Sequence, residues 1–250
     1  MRKFGLIGYP LGHSFSKKYF TDKFSREHLD DCSYDNYPLT DIGQLPELTV
    51  SESSLIGLNV TIPYKTEILK YLDEIDPESD QVGAVNVIKI KRSGTTIKLA
   101  GFNSDIFGIR DTLAPFVSDR LKNALVLGTG GSSKAVCYIL SSINVNYTLV
   151  SRSPRPGCIM YSDIVPGLLG NTQLIINTTP LGMYPDVNSK PDLNYDLLNN
   201  SHILFDLVYN PEITMFLKIG QERGCKIING MKMLISQAEK SWKIWNDDRV

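Results

Sequence analysis

Three groups of residues have the types and spacing to do chemistry. In GLNVTIPYK, residues 57–65, an alternating run stops at Pro63 and Lys65 follows. Proline suits the first turn of a helix, so Lys65 is expected close to a helix N-terminus. The free N–H groups there disfavour a cation. Such a site would pull a lysine pKa down toward a value useful for proton transfer, unless a nearby carboxylate holds the proton. Asp105, in GFNSD, is a candidate carboxylate, but the sequence does not place it beside Lys65. A solvated surface lysine is the competing reading, and the residues alone leave both standing.

The second group is polar residues set in apolar surroundings. HSFS puts Ser14 and Ser16 in a loop before a helix, where either could be its N-cap. In NVTI the side chains alternate, so Asn59 and Thr61 share one face of a strand. A polar face on a core-like strand needs hydrogen-bond partners, which a polyhydroxylated ligand or neighbouring loops would supply. Asn86 in AVNVI and Asn103 in GFNSD repeat the pattern, again open to a structural or a ligand role.

The third group is LGTGG, Leu127 to Gly131, which follows a strand-like run and opens a helix-like one. Backbone N–H groups and a helix N-terminus would face an anion there. The dinucleotide fingerprint GxGxxG is imperfect, because Ser133 stands at its third glycine position. An NAD site places Asp or Glu about 20 residues further on. Here LVSRSPR offers Ser151, Arg152, Ser153 and Arg155 instead. Two guanidiniums and two hydroxyls suit a 2′-phosphate through charged, forked hydrogen bonds, which favours NADP over a merely solvated turn.

The elements that must hold these groups alternate between β-rich and amphipathic runs, the pattern of βαβ units and a parallel sheet. The first series predicts strands at 4–8, 34–39 and in SLIGLNVTI, and a helix over 16–27. It further predicts a helix over KTEILKYLDEI and a hairpin turning at Ser93-Gly94. GFNSDIFGIRDTLAPF links the two series as a helix with Ser104 or Asp105 as N-cap. The second series predicts strands in NALVL, NYTLVS, TQLIIN, HILFDL and CKIING, and helices after the glycine turn, around 212–222 and over MKMLISQAEKSWKIW.

The bulk properties set limits. At 250 residues the chain makes one large domain or two modest ones, and a net charge of −1 argues against general affinity for nucleic acid or acidic membranes. Cys32, Cys137, Cys158 and Cys225 show no CxxC or Cys/His spacing, so reduced thiols in the cytoplasm are expected, with no metal. The apolar run of MRKFGLIGYP breaks at Gly8 and Pro10, too short for a signal peptide or a membrane span.

GYPLGHSFS, NVTIPYK, GAVNVI, GFNSD, GTGGSSKA, NTTPLGM, DLVYNP and INGMKMLISQA occur in that order. Together they resemble the shikimate dehydrogenase family over nearly the whole chain, from Gly8 to Ala238. The resemblance implies two α/β domains with a cleft between them. A substrate-binding domain would take residues 1–103, completed by a C-terminal helix at 231–250, and a Rossmann-type NADP domain residues 104–230. It implies Lys65 and Asp105 as the catalytic pair. It implies Ser14, Ser16, Asn59, Thr61, Asn86, Tyr209 and Gln237 around the substrate. Gly128, Gly130, Gly131 and Ser132 would cradle the pyrophosphate, Ser151, Arg152, Ser153 and Arg155 the 2′-phosphate, and Leu207 and Gly230 the nicotinamide.

The implied reaction is reversible reduction of 3-dehydroshikimate to shikimate with NADPH. It needs no metal, nucleic acid or membrane, in a monomer or homodimer. Alternatives are a quinate/shikimate dehydrogenase using NAD or NADP and a catalytically silent ligand-sensing paralogue. A folate-cofactor dehydrogenase gives GFNSD no role. The chain departs from the family pattern at Lys17, where proline usually follows the second serine, and at Ser151, where asparagine is common.

Overall fold

The computed structural model describes residues 1–11 and 15–247, so the candidate Ser14 lies outside the described residues. The chain divides into two compact units, Met1–Ser104 with Ala238–Val250, and Asp105–Gln237.

The first unit runs β1 (Arg2–Gly8), α1 (Phe15–Arg26), β2 (Cys32–Pro38), α2 (Leu45–Ser51), β3 (Leu55–Val60), β4 (Glu74–Ile75), α3 (Pro77–Val82), β5 (Val87–Ser93) and β6 (Thr96–Phe102). Its strands form one sheet in the order β2-β1-β3-β5-β6-β4. The parallel sheet expected from the alternation holds only for part of it. β1 pairs in parallel with β2 and β3, but β5 pairs antiparallel with both β3 and β6. A hairpin forces the β5–β6 direction, since two residues cannot cross the sheet to restart a parallel strand. Ser93 pairs with Thr96, so the turn residues are Gly94 and Thr95, with Gly94 at φ 58°.

The helix expected over KTEILKYLDEI does not form. Residues 62–66 are turns, a 3-10 helix spans only Glu67–Tyr71, and the chain then enters β4. The edge of β6 captures it. Asp73 N donates to Leu99 O at 2.9 Å, Asp76 N donates to Gly101 O at 2.9 Å, and the Asp73 carboxylate accepts from Leu99 N at 2.7 Å. Backbone groups of a sheet edge must find partners, and here that demand outweighs the amphipathic pattern of KTEILKYLDEI. Ile68 still enters the core, fully buried.

The second unit runs α4 (Ser104–Leu113), β7 (Asn123–Leu127), α5 (Gly131–Ser142), β8 (Asn146–Ser151), β9 (Cys158–Met160), α6 (Pro166–Gly170), β10 (Leu174–Asn177), β11 (Ile203–Asp206), α7 (Met215–Glu222), β12 (Lys226–Ile228) and α8 (Met231–Asn246). Its sheet has the order β12-β11-β10-β7-β8-β9, and every pairing is parallel. Read from β9, this is the doubly wound order 3-2-1-4-5-6, whose topological switch point falls between β7 and β10. β10 is buried at every position and β7 at all but its first, as a sheet covered on both faces requires.

Helices α4 and α8 each straddle the division in sequence. Within the second unit, a Cβ on Gly108 of α4 would lie 2.6 Å from Met233 O of α8, so glycine permits the close approach. Within the first unit, the end of α8 supplies Trp242 and Trp245 to a cluster with Phe4, Phe20, Phe24 and Tyr34. Trp245 lies 4.9 Å from Phe4 by ring centroid, donates its Nε1 to Ile88 O at 3.0 Å, and occupies the space that a side chain on Gly57 would need. No helix among the described residues is long and apolar enough to cross a membrane.

Candidate active site

In the first unit, three of the quoted motifs meet on adjacent strands. Val60 N donates to Asn86 O at 2.8 Å, Val85 N donates to Lys65 O at 2.7 Å, and Asn103 Nδ2 donates to Ala84 O at 2.8 Å. NVTIPYK, GAVNVI and GFNSD are therefore stitched into one patch by backbone bonds and the Asn103 side chain. Pro63 follows a cis peptide in a turn and Lys65 lies in the same turn, not at the start of an α-helix. Thr61 and Lys65 are half-buried, and Asn86 is buried.

A buried polar relay runs under this patch. Burial pushes the Tyr34 phenol up in pKa, against a hydrogen bond with Ser16 that pulls it down. Tyr34 Oη donates to Asn59 Oδ1 at 2.8 Å, and Asn59 Nδ2 donates to Ser241 Oγ at 3.0 Å. Ser241 Oγ lies 3.1 Å from Ser104 Oγ, which accepts from Asn86 Nδ2 at 3.1 Å. Ser104 N returns to Asn86 Oδ1 at 2.7 Å. Asn59 is buried, with protein partners at both ends of its amide, because β3 packs both of its faces. The sequence reading gives Tyr34, Ser104 and Ser241 no such role. A serine inside the apolar stripe of α8 was the one available signal.

Asp105 is the second residue of α4, at its negative-favouring N-terminal turn, and is 1% exposed. Ser104 and Asp105, the two expected N-caps, are instead the first two helical residues.

In the second unit, the glycine turn sits at the C-terminal end of β7, beside the switch point. Gly128 has φ 111°, and a Cβ there would meet Thr178 Oγ1 at 2.6 Å, so only glycine fits. Gly130 is the N-cap of α5 with no side-chain cap, and a Cβ on it would meet nothing within 4 Å. The N-terminus of α5 thus opens onto space, which fits an anionic phosphate. Gly131 and Ser132 begin that helix, half-buried. Ser133 substitutes for the third fingerprint glycine by burying its small side chain and donating Oγ to Gly130 O at 2.6 Å. Ser151 ends β8 and accepts from Ser153 N at 3.3 Å, with Arg152, Ser153 and Arg155 exposed around the turn. These residues fit a dinucleotide bearing a 2′-phosphate.

Leu207 and Gly230 are brought together. Gly230 N donates to Val208 O at 3.1 Å, and the Leu207 carbonyl fills the place of a Cβ on Gly230. Tyr209 is half-buried, which raises its phenol pKa, and Gln237 is half-buried on α8.

A parallel sheet in this order, with a glycine turn at its switch point, defines a dinucleotide-binding α/β protein. The profile of the shikimate dehydrogenase substrate binding domain matches residues 6–88. The NADP(+)-dependent shikimate dehydrogenase of Methanococcus aeolicus is 37% identical over 265 residues, covering 96% of this chain and 90% of its own. A crystal structure of shikimate dehydrogenase 1 from Peptoclostridium difficile is 34% identical at a TM-score of 0.83, covering 100% and 93% of the two chains. The Thermus thermophilus shikimate 5-dehydrogenase, in complex with NADP(H) and shikimate, is 28% identical at a TM-score of 0.84, covering 98% and 94%. The chain belongs to the shikimate dehydrogenase family.

Proposed function

We propose that this chain catalyses the reversible, NADP-dependent reduction of 3-dehydroshikimate to shikimate, a step toward chorismate and the aromatic amino acids. The observation that carries the reading is the patch where NVTIPYK, GAVNVI and GFNSD meet, in a chain aligned over 96% of its length with an NADP-dependent shikimate dehydrogenase.

The first unit serves as the substrate domain and the second as the NADP domain. NADPH, when bound, supplies the hydride. Gly128, Gly130, Gly131 and Ser132 hold its pyrophosphate by backbone N–H groups and the α5 N-terminus, and Ser151, Arg152, Ser153 and Arg155 its 2′-phosphate. Leu207 and Gly230 hold the nicotinamide end. Ser14, Ser16, Asn59, Thr61, Asn86, Tyr209 and Gln237 orient the substrate carboxylate and hydroxyls, with Asn59 acting through the relay as well.

As the substrate ketone becomes an alcohol, its oxygen needs a proton. Lys65 donates it, and Asp105 orients the ammonium and shares the proton network. Hydrogen-bond donors fixed in advance stabilise the developing charge without reorganising. The protein works in the cytoplasm, as a monomer or homodimer, without nucleic acid or membrane. Its near-neutral charge supports the absence of nucleic-acid and acidic-membrane partners.

Steady-state rates with shikimate and quinate, each against NADP and NAD, test the function. Preference for shikimate with NADP is expected. Preference for quinate with NAD would replace the reading by a quinate dehydrogenase, and binding without turnover by a sensor.

A further inference from the structure

Asp206, at the C-terminal end of β11, is a fully buried carboxyl to which the reaction above gives no task. Its Oδ1 accepts from Asn177 Nδ2 at 2.9 Å and from Val208 N at 3.0 Å. Its Oδ2 accepts from Thr214 Oγ1 at 2.7 Å. All three partners are neutral, so the site offers donors but no counter-charge. A carboxylate accepts from all three at once, whereas an asparagine in its place would present N–H groups on one side and require the Thr214 hydroxyl to accept instead of donate.

Those contacts span the loops of neighbouring strands. Asn177 ends β10, and its Oδ1 takes both Thr179 N at 3.0 Å and Thr179 Oγ1 at 2.6 Å. Thr178, between them, donates N and Oγ1 to Leu127 O at 2.9 and 2.7 Å and abuts Gly128 of the glycine turn. Val208 and Thr214 bracket the loop after β11, where Thr214 also caps α7 by accepting from Leu217 N at 3.3 Å.

Ligands of such sheets lie across the C-terminal strand ends. With the 2′-phosphate at the end of β8 and the pyrophosphate at β7, sheet order carries the rest of the molecule over β10 and β11. We propose that Asp206 is a positioning residue: with Asn177 and Thr214 it clamps the β10 and β11 loops that receive the nicotinamide half of the cofactor. The inference rests on the NADP reading above.

Calorimetric titration separates the two. The ligands are NADP+ and 2′,5′-ADP, which carries the 2′-phosphate but no nicotinamide. Thr214→Val should weaken NADP+ about five-fold or more, which is about 1 kcal/mol, and leave 2′,5′-ADP within about two-fold. Thr214→Ser, which keeps the hydroxyl, should bind both like the wild type. Equal losses for the two ligands, or no loss for either, would overturn the clamp. If Thr214→Val does not fold, Asp206→Asn decides on the same comparison. A wild type that binds neither ligand sinks the NADP reading itself.

Discussion

Asn59 Nδ2 donates to Ser241 Oγ at 3.0 Å, joining a strand near the start of the chain to its last helix. Both side chains are buried, and Ser241 links Asn59 through Ser104 to Asn86. Removing the hydroxyl leaves a buried amide N–H short of a partner. Ser241→Ala should therefore cost about 1–3 kcal/mol in urea unfolding. The KM for shikimate should rise as Asn86 loses its registration. Unchanged stability and KM would show that the relay is dispensable.

Lys65→Ala should lower kcat by a factor of about 10² or more if it removes the proton donor, with a much smaller change in substrate KM. Turnover near wild type would assign the proton to another group.

Arg152 is exposed at the end of β8, where the proposed function sets it against the 2′-phosphate that NAD lacks. Arg152→Ala should raise the KM for NADP about ten-fold or more while leaving that for NAD within about two-fold, as loss of a charged, forked contact predicts. An equal effect on both cofactors would remove Arg152 from the 2′-phosphate site.

Trp245 rests on Gly57 and fills the aromatic cluster of the first unit. Gly57→Ala should cost about 1–3 kcal/mol by overpacking against the indole, and Trp245→Ala about 3–5 kcal/mol by leaving a cavity. Thermal unfolding checks both. A neutral Gly57→Ala would mean that the indole has room to move.

Burial raises the Asp206 carboxyl from its ordinary 3.8 to about 6, against the opposing pull of Thr214, Val208 and Asn177. Tyr195 is the ionisable neighbour that feels its charge, and burial raises that phenol too. Because the folded protein holds the proton more tightly than the unfolded chain, ionised Asp206 costs stability at neutral pH. That cost fades as pH falls through 6. Between about pH 7 and about pH 4 the wild type should gain about 2–3 kcal/mol relative to Asp206→Asn, which does not titrate there. Parallel pH profiles in chemical unfolding would contradict the shift.

The sequence alone determined what depends on near neighbours. The glycine turn, the guanidiniums after β8, the Gly94 hairpin and the long amphipathic helices are legible because backbone sterics, turn chemistry and periodicity act over a few residues. The order of the motifs also sufficed to suggest the family. Tertiary structure decided what depends on distant partners. A helix was legible over KTEILKYLDEI, yet only the folded sheet reveals that the β6 edge takes Asp73 to Asp76 away from it. Asn59 reads as half of a polar strand face, but its amide is met by Tyr34 from one side and Ser241 from the other. Asp206 reads as the polar end of a strand, and only folding brings Asn177 and Thr214 to it. A hydrogen bond is satisfied by whichever group packing brings within 3 Å, and for these residues that group lies beyond any local pattern.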